Sequence, residues 1–361
     1  MTDARTFPLG RPFDALVVGS HLRWDGMWQR PQQVLSRLAA RLPVLVVEEP
    51  FVGERERDAI VEAEGVAVLR PLRASGAPQR CDARTLAAVR TWLGERRPLV
   101  WLYSPMFLEL ADAFPQAPLA YDCMDELANF AFSSPQIPRR EAALLARASI
   151  VFAGGRSLFE ARRGRARRLE LVPSGVDVEH FAQACELHAD PLLAGLPHPI
   201  AIYAGALDER LDPALLGALA ADGFEVVLVG PVVKLAASAI PRDPHVHLCG
   251  KLPYARLPSL FAGADVALMP FARNAATERI SPTKTPEYLA AGLPVVSTRI
   301  ADVLRDFGEV LAFAEGPQAF AAAARAALRE DPVRRARGLV LARERTWERV
   351  TERMWAALRS L

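Results

Sequence analysis

Lysine is almost missing from this chain. Of the 44 Lys and Arg residues among 361, only Lys234, Lys251 and Lys284 are lysines. A chain that uses Arg nearly everywhere keeps Lys where a compact, mobile charge does not exchange freely for a planar guanidinium. Each of the three follows an apolar run of the second half, or opens the helix after one, which suggests a polyanion site along one edge of one sheet; chance is the plain alternative. Cysteine is scarce as well. Cys81, Cys123, Cys185 and Cys249 lack the paired spacing of a metal or redox motif, and Cys249 reads as a buried apolar residue. No apolar run approaches the roughly 20 residues of a bilayer span, and the opening MTDARTFPLGRPFD lacks the apolar core of a signal peptide, so a cytoplasmic protein is expected. The net charge of +2 supplies no strong global field. No Gly-x-Gly-x-x-Gly opens a helix after the first strand, which argues against a generic dinucleotide-dependent oxidoreductase. No convincing Asp-x-Asp pair offers a metal site, so neither a metal nor another cofactor is expected.

What is present is an alternation of short apolar runs and helical segments. The runs include Asp14–Ser20, Val44–Glu49, Leu99–Ser104 and Leu119–Cys123 in the first half, and Ile200–Ala204, Glu225–Gly230, Asp265–Phe271 and Pro294–Thr298 in the second. Continuous apolar strands between helices imply a parallel sheet covered on both faces. Two such series imply an α/β chain of two doubly wound domains. Periodicity lapses over Cys185–His198, which divides the chain into domains 1–190 and 191–335. A last helical stretch, 336–361, carries Trp347, Met354 and Trp355 and is expected to pack back on the first domain. A hydrophobic content of 51% suffices for two cores.

The densest signal is Ser281-Pro282-Thr283-Lys284-Thr285-Pro286-Glu287-Tyr288-Leu289-Ala290-Ala291-Gly292-Leu293-Pro294-Val295-Val296-Ser297-Thr298. It predicts a helix capped by Ser281 with Pro282 at its first position, a left-handed stop at Gly292 and a buried strand. Such a helix start favours an anion; Lys284 adds a charge there, and Glu287 one turn on can accept hydroxyl hydrogen bonds. Donors for phosphate beside an acceptor for hydroxyls suit a nucleotide. An ordinary capped helix is the bland alternative. Pro286 either forfeits a bond inside that helix or opens a shorter one capped by Thr285.

These residues resemble the GT-B glycosyltransferases, above all the retaining bacterial sugar transferases often called family 4. The resemblance rests on Ala264-Asp265-Val266-Ala267-Leu268-Met269-Pro270 together with Ser281–Thr298, on Val172-Pro173-Ser174-Gly175-Val176-Asp177, on Tyr203-Ala204-Gly205-Ala206-Leu207, on Val229-Gly230-Pro231 and on Trp347. It implies the GT-B fold, two facing Rossmann-like domains with a C-terminal crossover helix, and a sugar transferase of EC class 2.4. The second domain would take the nucleotide-sugar, with UDP first and GDP next as the nucleotide, and the first domain a saccharide or lipid-linked acceptor. Glu287 would hold the ribose; Ser281, Pro282, Thr283 and Lys284 would line the pyrophosphate. Lys251 and Leu252 would meet the base, and Arg210, with Gly205 and Lys234, would serve the phosphates. The chain departs from the family where Ala206 replaces the usual Arg, and where Arg279 stands eight residues before Glu287 in place of a first Glu. A nucleotide-sugar epimerase and a non-catalytic binding subunit are the rival functions.

In the first half, Gly19, Trp24, Asp25 and Arg30 lie in or just after the loop that follows the first strand and are the candidate acceptor contacts. His21, Asp122 and Asp125 are candidate bases should the enzyme invert; a structural His and helix-capping Asp residues are the alternatives. If the enzyme retains, as the resemblance implies, the leaving phosphate can take the acceptor proton. Arg156, Arg162, Arg163, Arg165, Arg167 and Arg168 form a basic cluster. It suits a peripheral contact with anionic lipid at the inner membrane face, or simply a solvated helix. Without interleaved aromatics it argues against nucleic acid.

Overall fold

The computed structural model describes residues 12–54, 56–74, 80–131, 133–329 and 331–361. The chain forms two compact units. The first comprises Met1–Ala128, Ser133–Pro173 and Glu348–Leu361; the second comprises Asn129–Phe132 and Ser174–Trp347. The main change of unit therefore falls at Pro173, and the Cys185–His198 stretch lies inside the second unit. There Asp190 pins the chain, accepting from Leu192 N at 3.0 Å and from Arg256 at 2.6 Å.

The strands of the first unit are β1 (Ala15–Ser20), β2 (Val44–Glu48), β3 (Phe51–Val52), β4 (Arg57–Ala63), β5 (Val66–Arg73), β6 (Pro98–Leu102), β7 (Leu119–Cys123), β8 (Ile150–Ala153) and β9 (Leu169–Leu171). They form one sheet in the order β3-β5-β2-β1-β6-β7-β8-β9, with β4 antiparallel on β5 and the other pairings parallel. All residues of β1, β2 and β7 are buried, as expected of strands covered on both faces. From Glu348 onward the terminal helix Trp347–Arg359 belongs to this unit. Trp355 meets Phe13 edge-on at 6.1 Å, and Arg37 pairs with Glu348 at 2.7 Å.

The second unit holds β10 (Ile200–Ala204), β11 (Glu225–Val229), β12 (Val246–Gly250), β13 (Val266–Met269), β14 (Val295–Ser297) and β15 (Ala312–Phe313), all parallel, in the order β12-β11-β10-β13-β14-β15. β10 and β13 sit at the middle, and β10, β11 and β13 are wholly buried. In open sheets of this kind ligands gather at the carboxyl ends of the central strands. The α/β fold class expected from the apolar runs is the one observed.

Candidate functional site

The carboxyl edge of the second sheet is built by backbone meeting backbone. Gly205 follows β10 with φ +154° and Gly230 follows β11 with φ +143°, conformations open essentially to glycine alone. Gly205 N donates to Val229 O at 2.7 Å, and Gly230 N donates to Gly250 O at 2.8 Å. A Cβ on Gly230 would lie 1.9 Å from Gly205 O, so the two turns touch with no room for a side chain.

Lys284 lies across this turn. A Cβ on Gly205 would fall 2.0 Å from Lys284 Cε and 2.4 Å from Nζ, so the bare α-carbon of Gly205 is what lets the side chain pass. Lys284 Nζ also stands 5.4 Å from the centre of the Tyr203 ring, a cation–π distance. Two buried tyrosines steady the turn: Tyr203 Oη donates to Ala206 O at 2.9 Å, and Tyr288 Oη accepts from Ala204 N at 2.8 Å. Neither tyrosine role was apparent from sequence, although both rings belong to the motifs that drew attention there.

The helix that carries Lys284 runs Lys284–Ala290 and is shorter than the motif suggested. Its N-cap position is Thr283, without a side-chain cap bond, instead of Ser281. Pro286 thereby falls in the first turn, where a missing N–H forfeits no helical bond. The helix ends as expected, with Gly292 at φ +75°. Thr285 is fully buried and directs its hydroxyl at Met269 Sδ, 3.7 Å away. Ser281, Pro282 and Thr283 form the half-buried approach to Lys284.

Glu287 is one turn past Lys284. Burial pushes its carboxyl up to about 7, with the Lys284 charge pulling the other way. The folded protein therefore disfavours the ionised form. The resulting loss of stability sets in above the ordinary Glu range and is complete once the pH has passed about 7.

The remaining candidates of this unit are distributed around the same edge. Leu207 bridges Val232, and Leu211 bridges Phe271, so the loop after Gly205 is held on both sides. Arg210 is held by Asp208, with Nε 2.9 Å from Oδ1, and Asp208 is buried. Lys234 is exposed and adopts φ +55°. Lys251 is exposed, whereas Leu252 packs partly buried against the core.

In the first unit, most candidates are engaged within the unit itself. Arg30 and Asp122 form a fully buried ion pair at 2.9 Å, and Arg30 also donates to Val172 O at 2.8 Å. Burial pushes the Asp122 carboxyl up, with Arg30 opposing. Trp24 is buried, its backbone N donating to Glu48 and its ring N to Glu64, both at 2.6 Å. Asp25 is exposed and pairs with Arg70 at 3.2 Å. Gly19 leaves room for Phe107, whose Cβ would be 2.6 Å from an added Cβ. His21 and Asp125 are half-buried in the loops after β1 and β7.

The basic cluster is heterogeneous. Arg162 is 1% exposed and bound to Glu126 at 2.8 Å and Glu141 at 2.7 Å, and Arg168 pairs with Glu170 at 2.6 Å. Arg156, Arg163, Arg165 and Arg167 are the exposed members. Among the described residues, no group of three His, Cys, Asp or Glu is arranged to hold a metal ion, and no helix is long and apolar enough to cross a membrane.

Residues 206–330 match the family model for glycosyl transferases group 1. No curated protein matches the chain in sequence. Among solved structures, sucrose-phosphate synthase from Thermosynechococcus elongatus is similar with a TM-score of 0.71 at 16% identity, over 96% of this chain and 98% of its own. The E. coli trehalose-6-phosphate structure bound with UDP-2-fluoro glucose reaches 0.70 at 15% identity, over 96% and 99%. Anabaena HepE in complex with UDP and glucose reaches 0.69 at 16% identity, over 97% and 100%. At these identities the likeness concerns the fold, which is GT-B. Much of the edge described above lies within the segment 206–330 that matches the group 1 glycosyl transferase model, in a chain with the GT-B fold.

Proposed function

We propose that this glycosyltransferase moves a sugar from a nucleotide-sugar, first of all a UDP-sugar, to a saccharide or lipid-linked acceptor in surface polysaccharide or glycoconjugate synthesis, with retention of configuration. The observation that carries the reading is the Lys284 side chain laid across Gly205, with Glu287 half-buried one turn on. Glycosyl transfer leaves negative charge on the departing phosphate, and a preorganised cation stabilises it where it forms. Lys284 fills that role, and the Glu287 carboxylate accepts from the ribose hydroxyls. Charge of this kind comes from side chains, so the reading calls for no metal cofactor. The UDP complexes among the similar structures support UDP as the nucleotide. The exposed Arg156, Arg163, Arg165 and Arg167 support a peripheral contact of a cytoplasmic enzyme with anionic lipid, where a lipid-linked acceptor would be met.

Calorimetric titration of UDP, GDP and ADP tests the site. One nucleotide is expected to bind, and Lys284→Ala to weaken it about 10–100-fold, the loss of a charge-assisted hydrogen bond. Glu287→Ala should weaken the same nucleotide. Absence of binding across the panel would sink the reading. Measured transfer, against binding without transfer or epimerisation of the donor sugar, separates a transferase from its rivals.

The raised Glu287 carboxyl gives a pH dependence. Nucleotide affinity is expected to rise as the pH passes through about 7, because the ionised carboxylate is acceptor-only at both oxygens and a stronger acceptor for the ribose hydroxyls than the neutral acid. The nucleotide phosphate titrates too, so the comparison is with Glu287→Gln. If wild type and variant share one pH profile, Glu287 is not the ribose acceptor.

A further inference from the structure

Three consecutive residues of the second unit, Asn129, Phe130 and Ala131, are fastened to the loops that flank the carboxyl edge of its sheet. Asn129 Nδ2 donates to Ala275 O at 2.8 Å. Ala131 N donates to Glu209 Oε1 at 3.0 Å, and Glu209 O in turn accepts from Asn274 Nδ2 at 2.7 Å. Phe130 sits between these two fastenings. Its ring centre is 5.4 Å from the Arg210 guanidinium carbon and 5.4 Å from Lys234 Nζ.

Two cations from separate loops thus converge on one aromatic ring. The loops themselves are joined: Leu207 N donates to Pro231 O, and Val233 N to Leu207 O, each at 2.9 Å. Lys234 holds φ +55°, an uncommon backbone state for a residue with a Cβ, which persists where surrounding contacts over-determine it. Arg210 is gripped by Asp208 on one side and faced by the ring on another. The cluster is charge-balanced, two cations against Asp208 and Glu209. What it offers an anion is therefore fixed donor geometry more than a net field.

We infer that Phe130 is a positioning residue that gathers Arg210 and Lys234 into one preset pair for the diphosphate of the nucleotide-sugar. The inference rests on the donor-site reading above and deepens it. The fastenings at Asn129 and Ala131 fix the ring, and the ring fixes the two long side chains, which would otherwise lose rotamer freedom on binding. An aliphatic residue of similar size packs but has no π face to attract a cation.

The test titrates UDP and inorganic pyrophosphate against wild type, Phe130→Leu, Phe130→Tyr and Lys284→Ala. Phe130→Leu is expected to weaken both probes about five-fold, the loss of cation–π contacts at a part-exposed site, and Phe130→Tyr to restore binding to within about two-fold. Loss for pyrophosphate as well as UDP places the effect at the diphosphate. Lys234→Met in the Phe130→Leu background should add less than it removes from wild type, because the two act as a unit. Should Phe130→Leu unfold the protein, Phe130→Met takes its place, with the same five-fold loss expected. If Lys284→Ala loses binding while Phe130→Leu equals wild type, the inference falls and the site reading stands. If Lys284→Ala equals wild type, the site reading falls and the inference with it. Tighter binding by Phe130→Leu would also overturn the inference, making the segment a cover over the cations.

Discussion

Gly230→Ala is expected to destabilise the second unit by about 3–5 kcal/mol and to abolish nucleotide binding at any temperature where the unit is still folded. Two independent penalties act. The residue holds φ +143°, where a Cβ is strained whatever the space. The Cβ itself would lie 1.9 Å from Gly205 O and 2.6 Å from Gly205 C. Backbone cannot rotate away as a side-chain end can, so the Gly205 turn must move, and with it the surface on which Lys284 lies. Gly217→Ala is the control. Gly217 is inside the helix Pro213–Ala221, its nearest neighbour would be 3.7 Å from the new Cβ, and the exchange should be neutral or stabilising by up to about 1 kcal/mol. Urea denaturation of both variants, with nucleotide titration, is the measurement. Equal midpoints for Gly230→Ala and wild type would show that the two turns have slack that their contact does not suggest.

Asp122→Ala is expected to cost the first unit a similar amount, about 3–5 kcal/mol, for an electrostatic reason. Arg30 and Asp122 have 1% and 0% of their side chains exposed, so removing the carboxylate strands a guanidinium away from water. The Val172 carbonyl that also accepts from Arg30 is a dipole and does not neutralise it. The double change Arg30→Met, Asp122→Leu should recover most of the loss, because exchanging a whole buried pair for apolar residues is often neutral or better. A loss below about 1 kcal/mol in the single variant would mean that water reaches the pair. Asp122→Asn separates this structural role from the candidate role as a base. It keeps the shape and a weakened hydrogen bond, so a variant that stays folded yet transfers no sugar would favour chemistry at Asp122.

The parts of this protein legible without a structure are those encoded over short stretches of chain. Runs such as Leu16–Gly19 and Val226–Val229 are apolar at every position, which fits a strand only if both faces are covered, and the parallel sheets follow. Gly292 followed by Pro294 marks the end of the helix for equally local reasons. The start of that helix was less legible: Ser281 and Thr285 each read as a cap, and the helix begins between them, after Thr283, with no side-chain cap bond. Partnership across long separations was not legible at all. That Arg30 and Asp122 pair across 92 positions, and that Asp208 holds Arg210, shows only in the fold. The same holds for Phe130 against Arg210 and Lys234. Periodicity records which side of an element is buried, since burial acts on each residue separately. Which charge meets which depends on where the chain returns, and that is set by the packing of the whole unit.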